Sequence, residues 1–114
     1  MGASEQLRVD VRCEPDRVVV RLQGELDLAS APLFQQQLES AELAARPTVV
    51  LDLEDLEFVD STGLRVILLA HERARERGQE FAITRGSAQV QRLLRITSVT
   101  DHLRIVASPD DLFV

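Results

Sequence analysis

Ser61 places a hydroxyl group where an apolar segment meets an apolar helix, in the stretch FVDSTGLRVILL at residues 58–69. A serine at such a junction has three candidate roles: a helix cap, a catalytic nucleophile or a phosphorylated switch. Asp60, Ser61 and Thr62 are all candidates for the cap. Any of them could accept a hydrogen bond from an unpaired N–H group of the first helical turn.

A catalytic role would require a base within hydrogen-bond reach of Ser61. The nucleophile elbow G-x-S-x-G needs a glycine at position 59, where this chain has Val59. His71 follows on the same predicted helix, about 15 Å away at a rise of 1.5 Å per residue. His102 lies in a loop that the sequence does not place, so it stays open as a base, although we expect both histidines at the surface. We therefore expect that the protein is not an enzyme.

Cofactor and metal sites have no recognisable motif in the chain. It contains neither G-x-x-x-x-G-K-[ST] nor G-x-G-x-x-G for holding phosphate groups. Cys13 and the two histidines are too dispersed to suggest a metal site, and Cys13 is interpreted as a small strand residue. Four acids are interpreted as belonging to a solvated connector: Asp52, Glu54, Asp55 and Glu57. We expect no cofactor and no metal.

The switch role has a physical basis in the position of Ser61. A phosphate would add about −1.5 to −2 charges at the positive end of the helix dipole, which the helix should tolerate. Asp60 and Asp27 are expected to supply negative charge nearby. Phosphorylation would then act on a docked partner through repulsion, with the fold unchanged.

Charge and hydropathy exclude several classes of partner. The chain has 13 basic residues, all arginine, against 19 acidic residues, for a net charge of −6. Such a balance would repel nucleic acid and anionic lipid, so we expect neither as a partner. Apolar runs are far shorter than the roughly 20 residues that cross a bilayer, and the N-terminus does not resemble a signal peptide. We therefore expect no membrane insertion and a cytoplasmic location.

Apolar periodicity predicts an alternation of strands and helices. A hairpin is predicted from strands at residues 7–14 and 16–26, and Ser30 and Pro32 mark a first helix that runs to about Ala45. The later predictions are a buried central strand at 48–53, a connector at 54–60, a helix from 61 to 78, a strand at 80–84, a helix at 87–96, a strand at 103–107 and a short helix from 108. The order β-β-α-β-α-β-α-β-α predicts an α/β fold with helices covering a mostly parallel sheet.

Three segments resemble the STAS domain, and specifically the free-standing anti-sigma factor antagonists of bacteria. They are GELD at residues 24–27, VVLDLEDLEFVDSTGLRVIL at 49–68 and VQRLLRIT at 90–97, and the block around Ser61 is the most specific of them. The resemblance spans nearly the whole chain. It implies a STAS-type fold, and we expect residues 1–114 to form a single STAS domain.

The resemblance implies a protein that binds an anti-sigma factor and so releases a sigma factor. In the family the anti-sigma factor is also a serine kinase of the GHKL ATPase type, and a serine phosphatase reverses its phosphorylation. Matching the motif makes Ser61 the phosphorylated residue, with Thr62 an alternative where many members have a second serine. The partner-binding residues implied are Asp27, Asp60, Ser61, Thr62, Gly63 and Arg65.

A second role stays open for a domain of this family. STAS domains also serve as scaffold subunits in stressosome-like and lipid-transport complexes. In such a non-switching subunit, Ser61 would only cap the helix.

Overall fold

Strands and helices alternate along the residues that the computed structural model describes, which are 6–42, 46–96 and 104–106. They are β1 (Leu7–Glu14), β2 (Arg17–Leu26), α1 (Ala31–Glu42), β3 (Thr48–Val59), α2 (Ser61–Glu76), β4 (Glu80–Thr84), α3 (Ala88–Ile96) and β5 (Arg104–Val106). The predicted end of the first helix near residue 45 and the predicted helix from residue 108 lie outside the described residues. No described helix has the length and apolar character needed to cross a bilayer.

The five described strands form one sheet in the order β1-β2-β3-β4-β5. β1 and β2 are an antiparallel hairpin, paired from Leu7 opposite Gly24 to Glu14 opposite Arg17. The pairs β2–β3, β3–β4 and β4–β5 are parallel. Each parallel pair needs a long crossover, and in the first two pairs α1 and α2 lie in it. The predicted α/β fold, with a mostly parallel sheet and β3 at its centre, is confirmed.

The core lies between one face of the sheet and the three described helices. Alternate residues of the strands point to this face, because successive side chains of a strand point to opposite sides. They pack with the apolar faces of the helices in one buried cluster, which includes Val20, Leu51, Ile83, Phe34, Leu38, Ile67, Ala70, Val90 and Leu94. Val19, Val50 and Ala82, which point to the other face, are buried too. Burial on both faces explains the continuous apolar run in β3.

The predicted connector at residues 54–60 is wrong, because β3 continues to Val59. The pairing of β3 with β2 shifts register twice, between Arg21 and Gln23 and between Gly24 and Glu25. Each shift adds a residue to β3, as a β-bulge does, and so interrupts the two-residue alternation by which a strand is recognised. Exposed acids and buried apolar residues therefore follow one another irregularly, although the segment is a strand.

Asp52 is also placed differently from the prediction, because it is buried and not part of a solvated connector. Its side chain is only 8% exposed. It accepts hydrogen bonds from the Thr84 hydroxyl at 3.1 Å and from the Glu54 N–H at 3.1 Å, and the Thr84 Oγ1 accepts one from the Leu53 N–H at 2.8 Å. This network joins β3 to β4 next to the first register shift.

Asp55 lies on the solvent side of the same irregular stretch and pairs with Arg21 of β2. The Nε of Arg21 donates to Asp55 Oδ2 at 3.1 Å, and a second guanidinium nitrogen contacts the same oxygen. This hydrogen bond and the charge of Asp55 raise the pKa of Arg21 above its ordinary value. Both side chains are about half exposed, so the pair contributes little to stability.

Gly63 allows the first turn of α2 to approach the end of β2. A Cβ atom on Gly63 would lie 2.6 Å from Leu26 Cγ, 2.8 Å from the Leu26 carbonyl oxygen and 2.9 Å from Val59 Cγ2. At the same place the Asp60 N–H donates to the Leu26 carbonyl at 3.1 Å. Only glycine fits this contact unless the helix moves away from the sheet.

We predict that Gly63→Ala destabilises the protein by about 1–3 kcal/mol, the usual cost of overpacking a close contact. The measurement is the free energy of unfolding from urea denaturation. Ser61→Ala in the same helical turn is the matched control, and at this exposed position it should change stability by less than about 0.5 kcal/mol. Equal stability of the two variants would contradict the close packing of α2 on β2.

Candidate partner-docking site around Ser61

Ser61 is the first residue of α2 and lies at the carboxyl end of β3. β2 and β3 are parallel, so their carboxyl ends meet at one edge of the sheet. The loop at residues 27–30, which follows β2, therefore lies beside the start of α2. The structure brings together the GELD segment and the D-S-T-G block, which are more than 30 residues apart in sequence.

Asp60 is the N-cap of α2, and this resolves the choice among the three capping candidates. Its backbone is extended, with φ −101° and ψ −175°, and its Oδ1 accepts a hydrogen bond from the Gly63 N–H at 2.9 Å. Its Oδ2 accepts a second one, from the Leu28 N–H at 3.1 Å. Within the described residues the Ser61 hydroxyl forms no hydrogen bond, and the side chain is exposed. Ser61 is thus available to another molecule without the loss of a structural contact.

The loop at residues 27–30 is held by its own hydrogen bonds. Asp27 Oδ1 accepts from the N–H groups of Ala29 and Ser30, at 3.0 and 3.1 Å. The buried Ser30 hydroxyl accepts from the Asp27 N–H and donates to the Glu25 carbonyl, both at 2.9 Å. Ser30 directly precedes α1, as predicted for an N-cap, but its hydroxyl bonds back to this loop and not to the first turn of the helix. Asp27 is half-buried and acts mainly on the shape of the loop.

Leu28 is a candidate docking residue that the sequence analysis missed. Its side chain is 72% exposed, while its N–H is bound to the Asp60 carboxylate. An exposed leucine on a fixed backbone is a suitable apolar anchor for a partner, because little conformational freedom is lost on binding. Its signal in the sequence is weak, since a single apolar residue in a loop is common on protein surfaces.

Three exposed side chains extend the site along α2. Ser61, Arg65 and Leu69 are spaced four residues apart, so they share one face of the helix. Leu69 is 45% exposed and lines a shallow groove between α1 and α2. We define the Ser61 surface as Leu28, Asp60, Ser61, Thr62, Arg65 and Leu69. Thr62 is half-buried, and the predicted docking residue Gly63 is buried and positions this surface from beneath.

His71 is too far from Ser61 along α2 to act as its base. The His71 ring lies almost three turns further along α2 and packs against Phe81 of β4, with ring centroids 5.5 Å apart. His102 is outside the described residues. Nowhere in the described parts of the chain do three His, Cys, Asp or Glu side chains group as metal ligands would. What the site presents is an exposed hydroxyl at a helix N-terminus, flanked by leucine, arginine and aspartate.

Comparison with known proteins connects this arrangement to one family. The family model described as the STAS domain matches residues 8–112. An anti-sigma F factor antagonist of Paenibacillus polymyxa is 31% identical over 94 residues, which cover 82% of this chain and 80% of the relative. An anti-sigma-B factor antagonist of Bacillus subtilis is 30% identical over 105 residues, covering 91% of this chain and 94% of the relative.

Solved structures agree on the fold. The crystal structure of an anti-sigma factor antagonist from Mycobacterium paratuberculosis superimposes with a TM-score of 0.86 at 22% identity, covering 97% of this chain and 94% of that one. At this identity the likeness supports the fold alone. The family model matches most of the chain, and two relatives are at least 30% identical to it. This chain therefore belongs to the STAS domain family.

Proposed function

We propose that this protein is an anti-sigma factor antagonist whose docking to an anti-sigma factor is controlled by phosphorylation of Ser61. The names of its relatives support the first part. The observation that carries the second part is the division of roles between two adjacent residues. Asp60 caps α2, whereas Ser61 is exposed and forms no hydrogen bond within the described residues.

A phosphate on Ser61 is compatible with the fold. The unpaired N–H groups and the dipole of a helix N-terminus favour negative charge, which offsets the repulsion from the neighbouring Asp60 carboxylate. Because the Ser61 hydroxyl forms no hydrogen bond within the described residues, its modification breaks none there. The proposed switch therefore acts at the surface.

Docking would be controlled by charge. A phosphate adds about −1.5 to −2 charges beside Asp60. It would stand on the Ser61 surface, whose other exposed side chains include Leu28, Arg65 and Leu69. A partner that covers this patch must desolvate the phosphate and meet its charge, and both effects weaken binding. An interface of ordinary size, about 800 Å² on each partner, would include the whole Ser61 surface.

The partner in this proposal is an anti-sigma factor that is also a serine kinase of the GHKL ATPase type. The kinase supplies the ATP, so this chain itself needs no cofactor. A serine phosphatase restores the unmodified form. The alternative of a non-switching scaffold subunit gave Ser61 the role of helix cap, a role that Asp60 fills in this structure.

The proposal predicts that Ser61→Ala binds the anti-sigma factor like the unmodified protein and that Ser61→Asp binds it at least about tenfold more weakly, a difference of about 1.4 kcal/mol. The measurement is affinity recovery of the partner from native cell extract, followed by titration of the purified partner. Ser40→Asp is the matched control, because it adds the same charge at an exposed position of α1. Equal binding by the two Ser61 variants would remove the switch.

Phosphorylation itself is a separate prediction. Incubation with the recovered kinase and ATP should add one phosphate, which peptide mass spectrometry should locate on Ser61. Thr62→Ala should still be modified, whereas Ser61→Ala should not. A phosphate found on Thr62, or one that persists in Ser61→Ala, would show that the acceptor is misassigned.

The apolar part of the Ser61 surface predicts a third result. Leu28→Ser should weaken binding of the anti-sigma factor by about tenfold, as expected for an exposed anchor that a partner buries. The unfolding free energy should change by less than about 0.5 kcal/mol, because the side chain has few contacts to lose. Val11→Ser, which also replaces an exposed apolar side chain but lies on β1, is the control and should bind normally. Unchanged binding by Leu28→Ser would exclude the 27–30 loop from the interface.

A further inference from the structure

A pocket distinct from the Ser61 surface lies between α3 and the carboxyl ends of β4 and β5. Its volume is about 140 Å³, and it is lined by Thr84, Arg85, Gln91, Leu94, Arg95 and Ile105. In sheets of this kind the carboxyl ends of parallel strands are the usual place for ligands. None of its residues takes part in the contacts described around Ser61.

The pocket combines apolar and cationic walls. Leu94 is buried beneath it, and Ile105, which lines it, is 38% exposed. Arg85 and Arg95 are exposed at its rim, and within the described residues neither guanidinium group has an ion-pair or hydrogen-bond partner. Residues 81–100 contain no acid, although the whole chain carries a net charge of −6. The rim of the pocket is thus cationic, while the buried Asp52 carboxylate lies behind the Thr84 hydroxyl that lines it.

The walls of the pocket are held in place by hydrogen bonds. The Arg85 N–H donates to the Val106 carbonyl at 3.3 Å, which ties the end of β4 to β5. The Gln91 Nε2 donates to the Gly86 carbonyl at 2.9 Å, which ties α3 to the loop before it. Gly86 itself packs closely, since a Cβ there would lie 2.9 Å from Val90 Cβ. These contacts hold both walls of the cavity in place.

We propose that this pocket binds a small organic anion, with its charged group between Arg85 and Arg95 and its apolar part against Leu94 and Ile105. The volume matches the size of such a molecule, because apolar cavities of about 150 Å³ hold benzene. Guanidinium groups bind carboxylate and phosphate groups through paired N–H donors. The ligand class is a monoanion with a short hydrocarbon chain.

The test uses hexanoate as the probe and the ¹⁵N-labelled protein as the receptor. We expect saturable chemical-shift changes at the amides of Arg85, Gln91, Arg95 and Ile105. Hexanol, which has the same chain length without the charge, should bind at least about fivefold more weakly, because it lacks the charge-assisted hydrogen bonds. Absence of saturable shifts, or equal binding of the two probes, would overturn the proposal.

Single arginine variants distinguish binding in the pocket from attraction by the overall charge of the protein. Arg85→Gln and Arg95→Gln should each weaken hexanoate binding by about fivefold, while Arg92→Gln should leave it within about twofold. Arg92 is the matched control because it is exposed on the same helix and does not line the pocket. The dispersion of the amide signals in the ¹⁵N spectrum of each variant reports whether that variant is folded. An equal loss in all three variants would show attraction by overall charge and would overturn the proposed site.

Discussion

The carboxylate of Asp60 is the contact on which the candidate site depends. One oxygen binds the Gly63 N–H and so starts α2, and the other binds the Leu28 N–H and so fixes the loop after β2. A single side chain therefore sets the relative positions of an exposed serine and an exposed leucine from two distant segments. Since Asp60 caps α2, the Ser61 hydroxyl forms no hydrogen bond among the described residues. That separation makes a reversible modification of Ser61 physically possible at little cost to the fold.

Backbone packing brings Asp60 to the position where it can make both contacts. The Asp60 N–H binds the Leu26 carbonyl, and Gly63 lets the first turn of α2 lie directly on Leu26. The two register shifts in β3 bring the end of that long strand level with the end of β2, so that Val59 pairs with Leu26. Asp52 and Thr84 stabilise the irregular stretch from inside the sheet. The site is thus built on β2, β3 and α2, with only the loop at residues 27–30 and the capping Asp60 outside these elements.

The two ends of α3 connect different parts of the molecule. Near its start, the Gln89 side chain bonds both the N–H and the carbonyl of Val59, at 3.0 and 3.2 Å, two residues before Ser61. Towards its end, Leu94 and Arg95 line the pocket beside β5. α3 therefore holds the end of β3 that precedes the proposed docking surface and also lines the proposed anion pocket, and the two sites share no residue.

Much of this protein follows from its sequence, because hydrophobic periodicity and helix signals are local. They predicted the hairpin, the helix that begins at Ser61 and the central position of β3, and the structure confirms them. The motif around Ser61 likewise predicted the family that the comparisons show. The extension of β3 through residues 54–59 was missed, because bulges remove the two-residue period.

Only the tertiary structure decided which of three adjacent residues caps α2, because each has a suitable oxygen and the choice depends on the backbone angles at Asp60. Leu28 and the pocket beside β5 also depend on residues that are remote in sequence, so no local pattern predicts them. Local chemistry determined which elements form. Their contacts across the sheet decided which side chains stay free to bind another molecule.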